Sequence, residues 1–354
     1  MTEAGGRLEV DEIEGIPLPR TRVPLFGHRA GEREFLDAYR SGRLHHAWLL
    51  TGPRGIGKAT FAFRVARFLE RYPDPAAPEV TAAEDLSISG DDPLVGKVGS
   101  GAHPNILHLR IPWNEHTKRY RTELTVDEVR RSVGFFGSTA GERGWRVCIV
   151  DAIDDANRSA ANALLKTLEE PPDRSLFLLV CNRPGRLLPT ILSRCRKLAL
   201  APLGRDDLAA ALDDLMPDSN HGAGDFDRVI TYAEGSVRRA CNLILAGGLE
   251  VVGAFEDIVA KLPRSDIAAI HALGDRVAPA AANDLYRILI DAVEYWLHGR
   301  LPEGSGGGPG NAALATVAEV WEKVHRSIQD AEIYNLDRKA VVLAVFRELS
   351  RVPG

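Results

Sequence analysis

The chain has 354 residues, 45% of them hydrophobic and 26% charged, with a formal net charge of −5 and a sequence pI of about 6.1. That length exceeds one ordinary core and predicts two or three soluble globular domains. No apolar run approaches the roughly 18–20 residues that span a bilayer, the acidic opening is unlike a secretory signal, and an acidic total gives no global attraction to nucleic acid.

In chain order, the Pro-containing start up to about Pro24 reads as an arm. LFGHRAGEREFLDAYRSGRLHHAWLLTG then predicts a helix, an apolar strand from Ala47 to Thr51 and a glycine turn. Helical spacing follows from Ala59 to Arg71 through Phe61, Val65, Phe68 and Leu69. Residues 73–102 are rich in Pro, Gly and Asp and read as a long surface insertion or loop. After a strand from Ile106 to Arg110 and a second irregular stretch, TVDEVRRSVGFF reads as a helix whose Thr125 and Glu128 fit a capping box. Trp145 to Asp151 is a buried-type strand ending in an acid, Ala156 to Leu168 a helix, SLFLLVCN a further strand and KLAL a short last one. Strands alternating with helices over the first 200 residues predict a parallel α/β sheet with flanking helices. Past Pro202 the period is helical throughout, with short helices first and longer ones over 249–298 and 312–352; LPEGSGGGPG (Leu301 to Gly310) joins two of these by flexible composition.

Cys148, Cys181, Cys195 and Cys241 are scattered and form no CxxC pair. Neither a zinc site nor a disulfide framework is expected, and a cytoplasmic setting is.

GPRGIGK, from Gly52 through Gly55 and Gly57 to Lys58, matches G-x-x-x-x-G-K between a strand and a helix. In that context glycines let backbone amides wrap phosphates, the lysine neutralises charge and the helix N-terminus favours an anion. A complete motif places Ser or Thr directly after the lysine to hold magnesium, whereas this chain has Ala59 with Thr60 one residue later. A one-residue shift turns a helical side chain by about 100°, so Thr60 is expected to point elsewhere. Asp151 stands where a second acid would organise magnesium, but the water-activating glutamate expected after it is replaced by Ala152; Asp154 and Asp155 follow in the turn. Arg194, in SRC (Ser193 to Cys195), is either a surface cation or an arginine finger offered to a neighbour's γ-phosphate, and Arg238, in GSVRRA, a second phosphate sensor or a helix-surface cation.

HHAWLLTGPRGIGKAT, ANALLKTLEEPPDRSLFLLVCNRPGRLLPTILSRC (Ala161 to Cys195), GAHPN, the VDEVRR helix, GSVRRA and YNLDRKAVVLAVF together resemble the bacterial clamp-loader AAA+ family of the DNA polymerase III holoenzyme. The similarity runs from about residue 24 to the C-terminus and is dense in 44–60, 103–200 and 231–243. It implies an AAA+ core over 1–203, a helical lid over 204–247 and a helical collar over 248–354. It also implies that Arg194 completes the ATP site of an adjacent motor subunit, that Asn182 is sensor 1 and Arg238 sensor 2, and that ATP or ADP is the ligand, weakly held or vestigial. The implied partners are the motor (gamma/tau) and delta subunits, with the sliding clamp and primer-template DNA reached through the complex. Ala59 and Ala152 depart from the motor pattern and favour a non-hydrolysing subunit. Many family members carry a four-cysteine zinc module where 73–102 has no cysteine, so no metal is expected.

Three functions stay open on the sequence: a regulatory clamp-loader subunit acting through Arg194, a competent ATPase in which another group replaces the missing ones, and an interaction module with a vestigial loop. Arg130 and Arg131 read as a solvated helix face, His45 and His46 as structural, and Trp296 and Trp321 as packed among the C-terminal helices.

Overall fold

The computed structural model describes residues 9–10, 12–137, 144–217, 223–279, 282–300, 311–334 and 336–352. These fall into two compact units, one within Met1–Ser219 and Gly235–Val237, the other within Asn220–Glu234 and Arg238–Gly354.

The first unit is built on a five-stranded parallel sheet. Its strands are β1 (Ala47–Thr51), β2 (Ile106–Leu109), β5 (Arg146–Val150), β6 (Ser175–Cys181) and β7 (Arg196–Ala199), in the spatial order β2-β5-β6-β1-β7. β5 and β6 are buried along their whole length, as their unbroken apolar runs require of strands covered on both faces. Period-two alternation then divides the side chains between two layers. Trp48, Leu50, Val147, Ile149, Leu176, Leu178 and Val180 face one core with α1 (Arg29–Arg40) and α2 (Lys58–Arg71). Ala47, Leu49, Cys148, Val150, Phe177, Leu179 and Cys181 face the other, against α5 (Val126–Gly137), α6 (Arg158–Glu169) and α7 (Pro189–Leu192). α8 (Arg205–Leu215) follows within the same unit.

Residues 73–102, expected as a surface insertion or loop, are more ordered than a loop. They form α3 (Pro78–Ala82) and α4 (Pro93–Gly99), and bury Val80, Leu86 and Val98 in the same core as α1 and α2. Arg40 donates to the carbonyls of Val80 (2.9 Å) and Ala83, while Glu32 accepts from Arg64 at 2.5 Å and from the Leu86 amide at 3.2 Å. Three isolated apolar residues among prolines and glycines carry too little periodicity to announce this packing. The irregular stretch after β2 likewise contains a hairpin, β3 (Trp113–Asn114) against β4 (Arg119–Tyr120), closed by a T-shaped Trp113–Tyr120 pair 5.1 Å between ring centres.

The second unit is helical: α9 (Ala223–Ala233), α10 (Val237–Leu245) from Arg238 onward, α11 (Gly248–Val259), α12 (Ile267–Val277), α13 (Asn283–His298), α14 (Asn311–Tyr334) and α15 (Arg338–Leu349). Val251, Val252, Phe255, Leu289, Val293, Val342 and Phe346 are buried within it, and the rings of Phe255 and Phe346 meet at 6.0 Å. Trp321 differs from expectation, being 40% exposed and stacked on His325 instead of lying within the core. The linker Leu301 to Gly310 lies outside the described residues. No helix among the described residues is long and apolar enough to cross a membrane.

Candidate functional site

The strand order places three sequence signals at one end of the sheet. Thr51 is in register with Cys181, so Gly52 and Asn182 leave neighbouring strands side by side; Asp151 leaves β5, on the other flank of β6. The carboxyl ends of parallel strands are where ligands bind in such sheets.

Gly52 has φ +147°, and a Cβ there would lie 2.3 Å from the Leu200 carbonyl oxygen, so no other residue fits without moving β7's continuation. Gly57, at φ +101°, turns the chain into α2. Lys58 is buried, 3% exposed, and its ammonium donates to the carbonyls of Gly52 (2.8 Å) and Pro53. Burial pushes its pKa down to about 8, against the opposing fields of Asp151 and Asp154.

The carbonyl groups of the loop are thus largely committed. Lys58 takes those of Gly52 and Pro53, the Ser236 hydroxyl donates to Arg54 at 3.0 Å, and His28 Nε2 lies 2.7 Å from the Ile56 oxygen. By contrast, the amides of Gly55 through Thr60 donate to no acceptor among the described residues. Carbonyls turned to protein donors and amides left over at a helix N-terminus make an anion cradle. The loop therefore fits the phosphates of a nucleotide. A magnesium site is less well provided, because Ala59 supplies a methyl group where a hydroxyl oxygen is needed and Asp151 remains the one acid at its expected place. Among the described residues, no group of three or more His, Cys, Asp or Glu is arranged to hold a metal ion.

Asp151 leaves β5 with its amide donating to the Leu109 carbonyl at 2.8 Å, and its carboxylate lies 3.6 Å from His108 Nε2 on β2. Ala152, where the sequence pattern expects a water-activating acid, is 7% exposed and sits in the left-handed region at φ 64°. Neither following acid is spare. Asp154, its side chain 1% exposed, accepts from the Asn182 amide at 2.9 Å and faces Arg183 Nε at 3.4 Å; Asp155 holds the same guanidinium at 2.7 Å. These bonds fix the end of β6 and with it Asn182. Burial beside Asp154 raises the pKa of Asp155, and Arg183 offsets part of that.

Arg194 follows the last turn of α7, and its side chain is 34% exposed. It donates to the Thr190 carbonyl at 2.9 Å, reaches Ser193 Oγ at 3.4 Å and pairs with Glu169 at 2.7 Å. Its partners thus belong to α6 and α7, not to the chain's own phosphate loop. Arg238 stands in the second compact unit near the start of α10, where its neighbour Arg239 pairs with Glu234 and with Asp291 at 2.9 Å.

Other sequence signals have structural work. In GAHPN, Asn105 Nδ2 donates to Glu70 at 3.1 Å and His103 approaches the same carboxylate at 3.9 Å. His46 Nε2 lies 2.9 Å from the Leu168 carbonyl at the end of α6 and His45 Nδ1 2.9 Å from that of Ala47, while Arg130 pairs with Asp127 and Arg131 with Glu128. The residues that the sequence did not single out are His28, Ser236, Asp154 as an anchor, and Glu169. The partners of His28 and Ser236 are backbone carbonyls far away in sequence, which no side-chain pattern reveals.

Residues 27–204, half of the chain, match the family described as DNA polymerase III, delta subunit. The delta′ subunit of DNA polymerase III from Pseudomonas aeruginosa is 32% identical over 225 residues, 63% of either chain. The gamma subunit of DNA polymerase III from Buchnera aphidicola is 27% identical over 231 residues, 64% of this chain and 58% of that one. The replication factor C small subunit of Methanococcus maripaludis is 32% identical over 248 residues, 69% of this chain and 67% of that one. The first two matches span less than two thirds of those relatives' length. With a phosphate-loop α/β core and a helical C-terminal region, the chain belongs to the DNA polymerase III delta-subunit family of clamp-loader proteins.

Proposed function

We propose that this chain is a delta-prime-like subunit of a clamp loader, assisting ATP-dependent placement of a sliding clamp on primed DNA without hydrolysing nucleotide itself. One observation carries the reading. The phosphate cradle is intact, yet Ala152 occupies the water-activating position and the nearest buried acid, Asp154, is committed to Asn182 and Arg183. The phosphate chain of a bound nucleotide would supply negative charge for the amides of Gly55 to Thr60 and for Lys58. Asp151 and Asn182 would lie beside it, and Arg238 would act as the second sensor.

In the same reading the working group is Arg194, given in trans to the γ-phosphate held by an adjacent motor subunit of gamma/tau type. A guanidinium on a rigid helix end loses little freedom on docking, which suits the stabilisation of charge in phosphoryl transfer. The partners would be the motor and delta subunits, with clamp and DNA engaged through the assembly. The corresponding division of labour is a core over 1–203, a lid over 204–247 and a collar over 248–354.

Turnover by the isolated chain tests the non-hydrolysing part. The expected result is no ATP hydrolysis above background. Hydrolysis that disappears in Lys58→Ala would overturn it.

A further inference from the structure

We infer that His28 and Ser236 are positioning residues of the phosphate loop, two donors from outside it that hold its carbonyl groups away from the ligand. The inference rests on the reading of this loop as a phosphate cradle.

The loop has more carbonyl groups than Lys58 can engage. Lys58 holds those at Gly52 and Pro53 from within the motif. Those at Arg54 and Ile56 are held from outside the motif. Ser236 Oγ donates to the first at 3.0 Å, and His28 Nε2 meets the second at 2.7 Å. A carbonyl only accepts, so His28 Nε2 must carry its proton; burial, which lowers its pKa, favours the neutral imidazole with Nδ1 bare. If either peptide turned over, a carbonyl dipole would face the phosphates and an amide would leave the cradle. The loss would therefore be felt as anion affinity more than as stability.

Both donors are themselves held in place. Ser236 is 3% exposed and follows Gly235, where φ is +73° and a Cβ would lie 2.6 Å from both the amide nitrogen and the carbonyl oxygen of Leu203. The Leu203 amide donates to the Gly235 carbonyl at 3.0 Å. His28 stands in the left-handed region at φ 58°, a conformation few side-chain-bearing residues adopt, and its carbonyl accepts from the Glu32 amide at 3.0 Å as α1 begins. A Cβ on Gly57 would come within 3.6 Å of His28 Nε2, so the ring lies over the turn into α2 as well as beside Ile56. In GSVRRA, then, the serine has a task of its own.

The test is equilibrium titration of the full chain with a fluorescent ADP, with inorganic pyrophosphate as competitor and thermal melts alongside. His28→Ala and Ser236→Ala are each expected to weaken ADP binding about tenfold, the scale of one lost hydrogen bond. His28→Gln, which restores an N–H donor, should recover most of the loss, and Ser236→Cys, of similar size but a weak donor, should resemble Ser236→Ala. Melting temperatures close to wild type would separate the effect from misfolding. Binding by both alanine variants equal to wild type, with Lys58→Ala defective, would overturn the positioning role and leave the cradle standing. So would a His28→Gln as weak as His28→Ala. Wild type no better than Lys58→Ala would overturn the cradle and the positioning role together.

Discussion

Arg194 and Glu169 form an ion pair of 2.7 Å that ties the end of α7 to the last residue of α6. The guanidinium keeps a second bond to the Thr190 carbonyl, so its direction is set by two helices at once. An exposed pair of this kind adds little to stability, about 0–1 kcal/mol. Its consequence is orientation.

Replacing Glu169 with Ala should therefore leave the melting temperature within a degree or two of wild type and lower ATP turnover of a reconstituted loader severalfold. Thermal melts and steady-state hydrolysis measured on the same preparations check this. Unchanged turnover would show that Arg194 needs no help from Glu169.

Asp154 should behave as an anchor. Asp154→Ala strips the Asn182 amide and Arg183 of a buried acceptor, which is expected to cost on the order of 2–4 kcal/mol. Urea denaturation measures the loss. A variant as stable as wild type would return Asp154 to the list of acids available for chemistry.

The Gly52 position tolerates no side chain. Gly52→Ala sets a methyl group 2.3 Å from the Leu200 oxygen, and strain of about 1–3 kcal/mol or more follows. The expected variant is less stable in urea and weaker toward fluorescent ADP.

The helical unit carries a pH response. Burial raises the pKa of Asp291 to about 6 in spite of its partner Arg239. The folded state then binds the proton more tightly than the unfolded chain, whose carboxylate titrates near 4. Asp291 favours folding most below about pH 4, and that contribution is lost as pH rises through about 6; it amounts to about 2–3 kcal/mol. Asp291→Asn should remove this slope, so the difference in unfolding free energy between wild type and variant should vary with pH between about 4 and 6 and level off above. A pH-independent difference would contradict the shift.

What the sequence disclosed follows from how the signals are written in it. β1 over Ala47–Thr51 and β6 over Ser175–Cys181 are legible because strands buried on both faces need unbroken apolar runs, and the loop from Gly52 to Lys58 because its glycines are imposed by geometry. The hairpin of Trp113 and Tyr120 was not legible, since strands of two residues have no period. α3 and α4 were hidden by their prolines and glycines, although Val80 and Val98 reach the core. The anchoring task of Asp154 was not legible, because its partners, the Asn182 amide and Arg183, arrive from another strand end.

The central claim is that Arg194 acts on a neighbour's nucleotide. A loader reconstituted from this chain with motor and delta subunits, the motors' own finger arginines replaced by alanine, leaves only the site that Arg194 would complete. DNA-dependent hydrolysis there should fall about 10³-fold or more in Arg194→Ala while the complex still assembles. Hydrolysis at the wild-type rate in an assembled Arg194→Ala complex would contradict the account.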